Sequence, residues 1–293
     1  MKGAAFFLIL LLPALSPARG AKTYPASGLI LQVDRTRLSI SVSSRAIAGY
    51  RDESVMTLFV RDAQTLNGLA PGLLIDFVLA VQNNKAYAEQ IRIHPYENTA
   101  QEPMAARQLE ILEAATAGSS KPVELQLGQA APDFTLTDQH RQSVTLSRLA
   151  GKVVAITFIY TQCPLPNFCF RMSNNFAALH QRFATNMERD LILLSVSFDP
   201  EHDQPEILAD YARTWAKDDN GWHFLTGPLP EVQKICASFG VNFWPDEGFM
   251  THSLHTILLD RRGRLVANLE GNEYTAKQLG DLVETLLQNT AAE

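Results

Sequence analysis

Val153-Val-Ala-Ile-Thr-Phe-Ile-Tyr160, followed at once by Thr161-Gln-Cys163-Pro-Leu-Pro-Asn-Phe-Cys169-Phe-Arg-Met172, decides how the C-terminal half of this 293-residue chain is read. The first eight residues are apolar and β-prone without alternation, the pattern of a strand buried on both faces. From about Met172 to Phe183 the apolar spacing becomes helical. Two sulfurs therefore stand where a strand hands over to a helix. A helix N-terminus favours a thiolate, which is both the nucleophile and the soft metal ligand. Thiol chemistry, soft-metal binding, or both are expected here. The competing reading is an inert staple. Closing a seven-residue loop gains roughly 2–2.5 kcal/mol in the chain-entropy model, and a domain of this size buries its core without that help.

Strands and helices alternate around this segment. Asp133–Leu136 and Ser143–Leu146 read as a leading hairpin, and Leu191–Phe198 as a second buried central strand. Helical patterns run over Met172–Thr185, Pro205–Ala216 and Leu229–Phe239. His255–Asp260 and Arg264–Asn268 form a hairpin across Arg261-Arg262-Gly263, and Thr275–Gln288 closes the chain as an amphipathic helix. The order is βαβ, then ββα, with an added hairpin in front. It predicts an α/β thioredoxin-like domain over residues 123–290, a central sheet flanked by helices, with the cysteines at the end of its first central strand.

Upstream, residues 26–95 hold five short strand patterns separated by turn signals at Asp34-Arg35, Ala70-Pro71-Gly72 and Asn83-Asn84. They predict a small all-β barrel. Residues 96–122 read as a helical linker: one helix over 100–117, then the break Gly118-Ser-Ser-Lys-Pro122. Residues 1–20 read as a secretory signal peptide, with Lys2, an apolar core from Ala4 to Leu12, and a small-x-small site at Ala18-Arg19-Gly20. The apolar run is too short to span a bilayer. An exported, periplasmic and soluble protein is expected, an uncleaved membrane anchor being the alternative.

The formal charge is −6, and removal of Lys2 and Arg19 with the leader makes it −8. An acidic chain with no basic surface argues against a nucleic-acid partner. The third cysteine, Cys236, shares a helical face with Ile235 and Phe239 and reads as core.

Several features in order give the C-terminal domain its relationship. Gly151-Lys-Val-Val154 opens the strand; Tyr160-Thr161, Cys163-Pro164 and Cys169 form the site. Asp199-Pro-Glu-His-Asp203-Gln-Pro205 matches an Asp-Pro-x-x-Asp-x-Pro segment, and His252-Ser253 precedes a strand ending Leu258-Leu-Asp260. From Pro132 to Leu287 the chain resembles the Sco/SenC family of copper-delivery proteins. The resemblance implies one copper ion held by Cys163, Cys169 and His252. Soft thiolates select Cu(I), and imidazole suits Cu(II) as well. It further implies an exported copper chaperone serving a membrane-embedded or exported acceptor such as a cytochrome c oxidase subunit, with a thioredoxin-like protein as reductant. The family's common spacing is three residues between the cysteines; here there are five, Pro164 to Phe168. Residues i and i+6 do not share a helix face, so both sulfurs meet only if the segment folds back as a loop, for which Pro164 and Pro166 are suited.

Whether the protein is an enzyme stays open. The same pair could serve a periplasmic thiol–disulfide oxidoreductase, in which Cys163 attacks and Cys169 resolves the mixed disulfide. A peroxide-reducing role is a weaker third reading, since spacing identifies no catalytic arginine. His255, three residues after His252, is read as structural, on the opposite face of a shared strand; His202 is read as solvated. In the barrel, Ile47-Ala-Gly-Tyr50, Val60-Arg-Asp62, Leu66-Asn-Gly-Leu69 and Pro71-Gly72 resemble periplasmic copper-binding barrels of the CusF type. That family uses a histidine and two methionines. The corresponding positions are Ser44, Ser54 and Met56, so the resemblance implies a barrel without its own metal site that positions the C-terminal domain against a partner.

Overall fold

The computed structural model describes residues 22–94, 124–246 and 249–289; the expected signal peptide (1–20) and the helix expected over 100–117 lie outside the described residues. In the N-terminal part, β1 (Lys22–Asp34), β2 (Ser39–Ser44), β3 (Ser54–Phe59), β4 (Leu74–Gln82) and β5 (Lys85–Ile93) close into a barrel in the order β1-β2-β3-β5-β4. Asn83 and Asn84 both take positive φ and join β4 to β5 in a two-residue turn that matches strand twist. β1 starts earlier than its apolar run, because residues from Lys22 onward pair with β4.

The C-terminal part holds a seven-stranded sheet, ordered β14-β13-β8-β9-β10-β6-β7. Its centre is the parallel pair β8 (Val153–Ile159) and β9 (Leu191–Ser197), buried along their whole length. β13 (His255–Leu259) and β14 (Leu265–Glu270) extend one side. β10 (Trp222–Thr226), β6 (Thr135–Asp138) and β7 (Ser143–Thr145) extend the other. Four helices accompany the sheet: α1 (Cys169–Arg182), α2 (Pro205–Trp215), α3 (Leu229–Ser238) and α4 (Ala276–Gln288). This is a thioredoxin-like α/β domain.

Two features depart from the sequence reading. β10 lies inside the sheet, parallel to β9 and antiparallel to β6, although Gly221 before it and Gly227-Pro228 after it give the segment the look of a loop. A second, two-stranded sheet is the hairpin of β11 (Phe243–Asp246) with β12 (Phe249–His252). Pro245 in the first of these strands masks it, since proline is tolerated only where no ladder donor is required. Among the described residues no helix is long and apolar enough to cross a membrane.

The two parts pack directly. Ile30 of β1 points into the barrel core, whereas its neighbours Leu29 and Leu31 join the core of the larger domain. Gly72 lies against β14: at φ +89°, a Cβ there would come within 2.9 Å of the Ala267 Cβ. Polar contacts complete the seam. Thr275 and Gln278 form a capping box at the start of α4, and Gln278 Nε2 also donates to the Ser43 carbonyl at 3.1 Å. The buried Asp281 carboxylate accepts from Ser43 Oγ at 2.6 Å, Lys277 Nζ at 2.7 Å and Arg182 Nη2 at 2.9 Å. Burial pushes the Asp281 pKa up, but Lys277, Ser43 and Arg182 together outweigh it and hold the group below the usual carboxylate range.

A folded-state pKa held down contributes stability above the ordinary carboxylate range, and that stability disappears as pH falls through the folded value. Asp281→Asn is therefore expected to destabilise the protein by about 2 kcal/mol near neutrality in urea unfolding. The difference from the parent protein should shrink as the titration is repeated at progressively lower pH.

Candidate metal and thiol site

The site begins where β8 ends. Asp203, fully buried, accepts from the Thr161 backbone N–H at 3.1 Å and from the Thr161 and Ser197 hydroxyls at 2.5 Å each. This fixes the chain two residues before Cys163 against the end of β9. The backbone then makes two tight turns: Cys163 N–H donates to the Tyr160 carbonyl at 3.4 Å, and Phe168 N–H to the Leu165 carbonyl at 3.1 Å. Pro164 and Pro166 occupy this folded-back loop, where their missing N–H groups forfeit no helical bond. Asn272, buried on the far side, donates its amide to the Asn167 carbonyl. Cys169 is the first residue of α1, three residues earlier than the helical pattern in the sequence.

His252 ends β12. Its ring meets Phe198 at 4.6 Å between centroids, and Tyr160 and Phe168 edge-on at 6.0 and 6.2 Å. Its Nδ1 lies 3.0 Å from the Ser253 carbonyl. A carbonyl can only accept, so Nδ1 carries a hydrogen and Nε2 faces the sulfurs. Nε2 stands 3.5 Å from Cys169 Sγ. The sulfurs of Cys163 and Cys169 and a ring nitrogen of His252 all lie within 4.8 Å of one another. The five-residue spacing is thus absorbed by the proline loop.

The two thiols are electrostatically unlike. Hydrogen bonding from Cys169 is the largest influence on Cys163; with help from His252 and the backbone of Leu165 and Cys169, it overcomes burial and lowers the Cys163 pKa to about 4. Cys169 is buried, and that burial, together with the neighbouring Cys163, drives its pKa well above the ordinary thiol value. Both are free thiols. Two soft sulfurs, one already a thiolate, and an imidazole nitrogen suit a soft monovalent cation. The neutral ring offers that cation the Nε2 lone pair; when protonated it donates to the thiolate instead.

The other candidates fall outside this cluster. His255 is buried on β13, with Nδ1 2.9 Å from Asn268 Oδ1, and burial lowers its pKa. It stands on a different strand from His252, so the opposite-face argument for a shared strand is corrected: the β12–β13 break separates them. His202 is exposed. Cys236 is buried in the core, and burial raises its pKa. In the barrel, the Ser44 hydroxyl donates to the Ser54 carbonyl at 3.1 Å and approaches the buried Met56 sulfur at 3.7 Å. The enclosure of His252 by Phe168, Phe198 and Tyr160 leaves one trace in the sequence, the aromatic residues beside Cys169 and at the ends of both central strands.

Iodoacetamide at pH 6 is expected to modify Cys163 first, read by peptide mass spectrometry, with Cys169 and Cys236 reacting only after denaturation. Because only the thiolate reacts, the Cys163 rate should hold to acidic pH and fall as pH drops through about 4.

An SCO2-like protein of Rickettsia typhi is 27% identical over 151 residues, covering 48% of this chain and 69% of the relative. A SCO1 protein homolog of Bacillus subtilis is 29% identical over 147 residues, covering 48% and 74%. Among solved structures, ScoI of Bradyrhizobium japonicum with copper bound is 26% identical, with a TM-score of 0.46, covering 54% of this chain and 99% of that one. The SCO1/SenC family profile matches residues 124–288, which hold Cys163, Cys169 and His252. With more than half its length matched, the chain belongs to the SCO1/SenC family.

Proposed function

We propose that the protein is a copper chaperone that takes up one Cu(I) through Cys163, Cys169 and His252 and passes it to an exported or membrane-embedded acceptor. The observation that carries this reading is the convergence of two sulfurs and an imidazole nitrogen within 4.8 Å. Cys163 enters as a thiolate, so uptake requires only one further deprotonation, that of the buried Cys169, which the cation itself favours. The ion is cargo. Cys163 is half-buried, so an incoming ligand reaches it before Cys169 and His252, which are both buried. Export to the periplasm and a cytochrome c oxidase subunit as acceptor complete the proposal, in line with family membership.

The asymmetry of the thiols favours a second reading, thiol–disulfide exchange. The Cys163 thiolate would attack a partner disulfide, releasing one partner thiolate, and Cys169, once deprotonated, would displace the second and leave a Cys163–Cys169 disulfide. This chemistry does not require His252 as a ligand; copper binding does.

Titrating the reduced protein with Cu(I) against a competing chelator separates the two. One copper per chain is expected. Cys163→Ser and Cys169→Ser should each abolish competition, and His252→Ala should weaken binding by about tenfold or more. Unchanged affinity in His252→Ala would overturn the three-ligand site. Failure of the parent protein to compete, with rapid reduction of a mixed-disulfide substrate, would establish the oxidoreductase.

A further inference from the structure

Beside the thiols, on the side of the β11–β12 hairpin, lies an open groove of about 620 Å³. Four of its lining residues are aromatic, Tyr160, Phe198, Phe243 and Trp244, and Leu229 and Met250 add to the apolar wall. Among the described residues, its charged lining residues are both acids, Asp199 and Glu201, with no Lys or Arg. Neither carboxylate has a Lys or Arg ion-pair partner among the described residues, and the nearest titratable neighbours of Asp199 are Asp203 and His202. Aromatic faces with unpaired carboxylates at their edge form a receptor for an ammonium or guanidinium on an apolar stem. The groove is much larger than one side chain. It is bordered by β11, through Phe243, Trp244 and Pro245, which leaves room along the strand for several residues of an extended chain.

We propose that this groove docks an extended segment of a partner polypeptide carrying a Lys or Arg between apolar residues. The cation sits against Asp199 and Glu201, and the apolar flanks lie on Trp244 and Phe243. Position gives the docking its purpose. Phe243 stacks on Phe198 at 5.2 Å, Phe198 meets Tyr160 at 5.4 Å and His252 at 4.6 Å, and Tyr160 also touches the His252 ring. A segment seated here presses on the rings that hold His252 and brings its parent protein to Gln162, next to the half-buried Cys163. That the partner is a copper donor or acceptor rests on the proposed function; the docking itself does not.

The probe is the capped peptide acetyl-Leu-Lys-Leu-Arg-Leu-amide, titrated calorimetrically into the metal-free, reduced full chain at low salt. Binding is expected for the parent protein and, unchanged, for the Cys163→Ser/Cys169→Ser protein, which separates the groove from any failure of copper binding. Asp199→Asn with Glu201→Gln should weaken it by about tenfold, and Trp244→Leu by a similar factor. Thermal melts of each variant check that the fold is intact, and Glu201→Gln alone, at an exposed position, should still show a partial loss. Three results would overturn the proposal: no binding of the basic peptide, equal binding of acetyl-Leu-Glu-Leu-Glu-Leu-amide, or full affinity in the double acid variant. Equal affinity for lysine amide alone would also overturn it, by reducing the groove to a small-cation pocket.

Discussion

Asp203 places a carboxylate where no water reaches it, and three donors converge on it from the ends of the two central strands. A buried carboxylate is tolerated only when its acceptor sites are filled, and a hydrogen bond to such a group is typically worth about 1.5–3 kcal/mol. The interaction therefore resists small displacements of either strand end. Thr161 is held from the β8 side and Ser197 from the β9 side, so the loop carrying Cys163 starts from a fixed point. The Asp199–Asp203 loop, which lines the neighbouring groove, is tied to the same carboxylate. Thiol loop and groove thus share one anchor.

That anchor lets the proline loop be irregular without being loose. A three-residue spacing could place both cysteines on one helical turn; a five-residue spacing cannot. Here the helix supplies only Cys169, and Cys163 is returned to it by two turns whose far end is held by the Asn272 amide. The outcome is a pair of sulfurs in unlike surroundings. Cys169 is sealed at the helix start, while Cys163 is partly open and held as a thiolate. An arrangement with one accessible and one enclosed sulfur serves handover better than a symmetric pair, because an incoming ligand can replace the outer contact first.

Local pattern carried some of this and geometry the rest. β8 and β9 were legible because a strand buried on both faces writes an unbroken apolar run, and α4 because its apolar residues keep helical spacing. Cys163 and Cys169 were legible as a strand-to-helix pair. His252 was not legible from pattern at all: its Nε2 meets Cys169 across 83 residues of chain, and only the resemblance to a known family singled it out. β10 and the β11–β12 hairpin escaped because turn-type residues dominate around them: Asn220-Gly221 and Gly227-Pro228 bracket β10, and Pro245 stands inside β11. The anchoring role of Asp203 escaped because an Asp in an Asp-Pro-rich loop looks solvated until its donors are located in space.

The same limit applies to the seam between barrel and sheet. Gly28-Leu-Ile-Leu-Gln-Val33 lacks the alternation of a barrel strand with one wet face, and the packing explains why: Ile30 enters one core while Leu29 and Leu31 enter the other. A strand sandwiched between two cores must be apolar on both sides. Ser43, read alone, is an outward polar residue of β2; in the folded chain it is buried against α4, 238 residues away, bonded to Asp281 and Gln278. Apolar interdigitation and buried charge-assisted hydrogen bonds are unlike the exposed, sparse contacts of a domain on a free tether. The barrel lies outside the family match, yet it completes the hydrophobic core of the domain within it. Because α4 also packs on α1, and α1 begins at Cys169, the barrel braces the helix that carries the buried thiol.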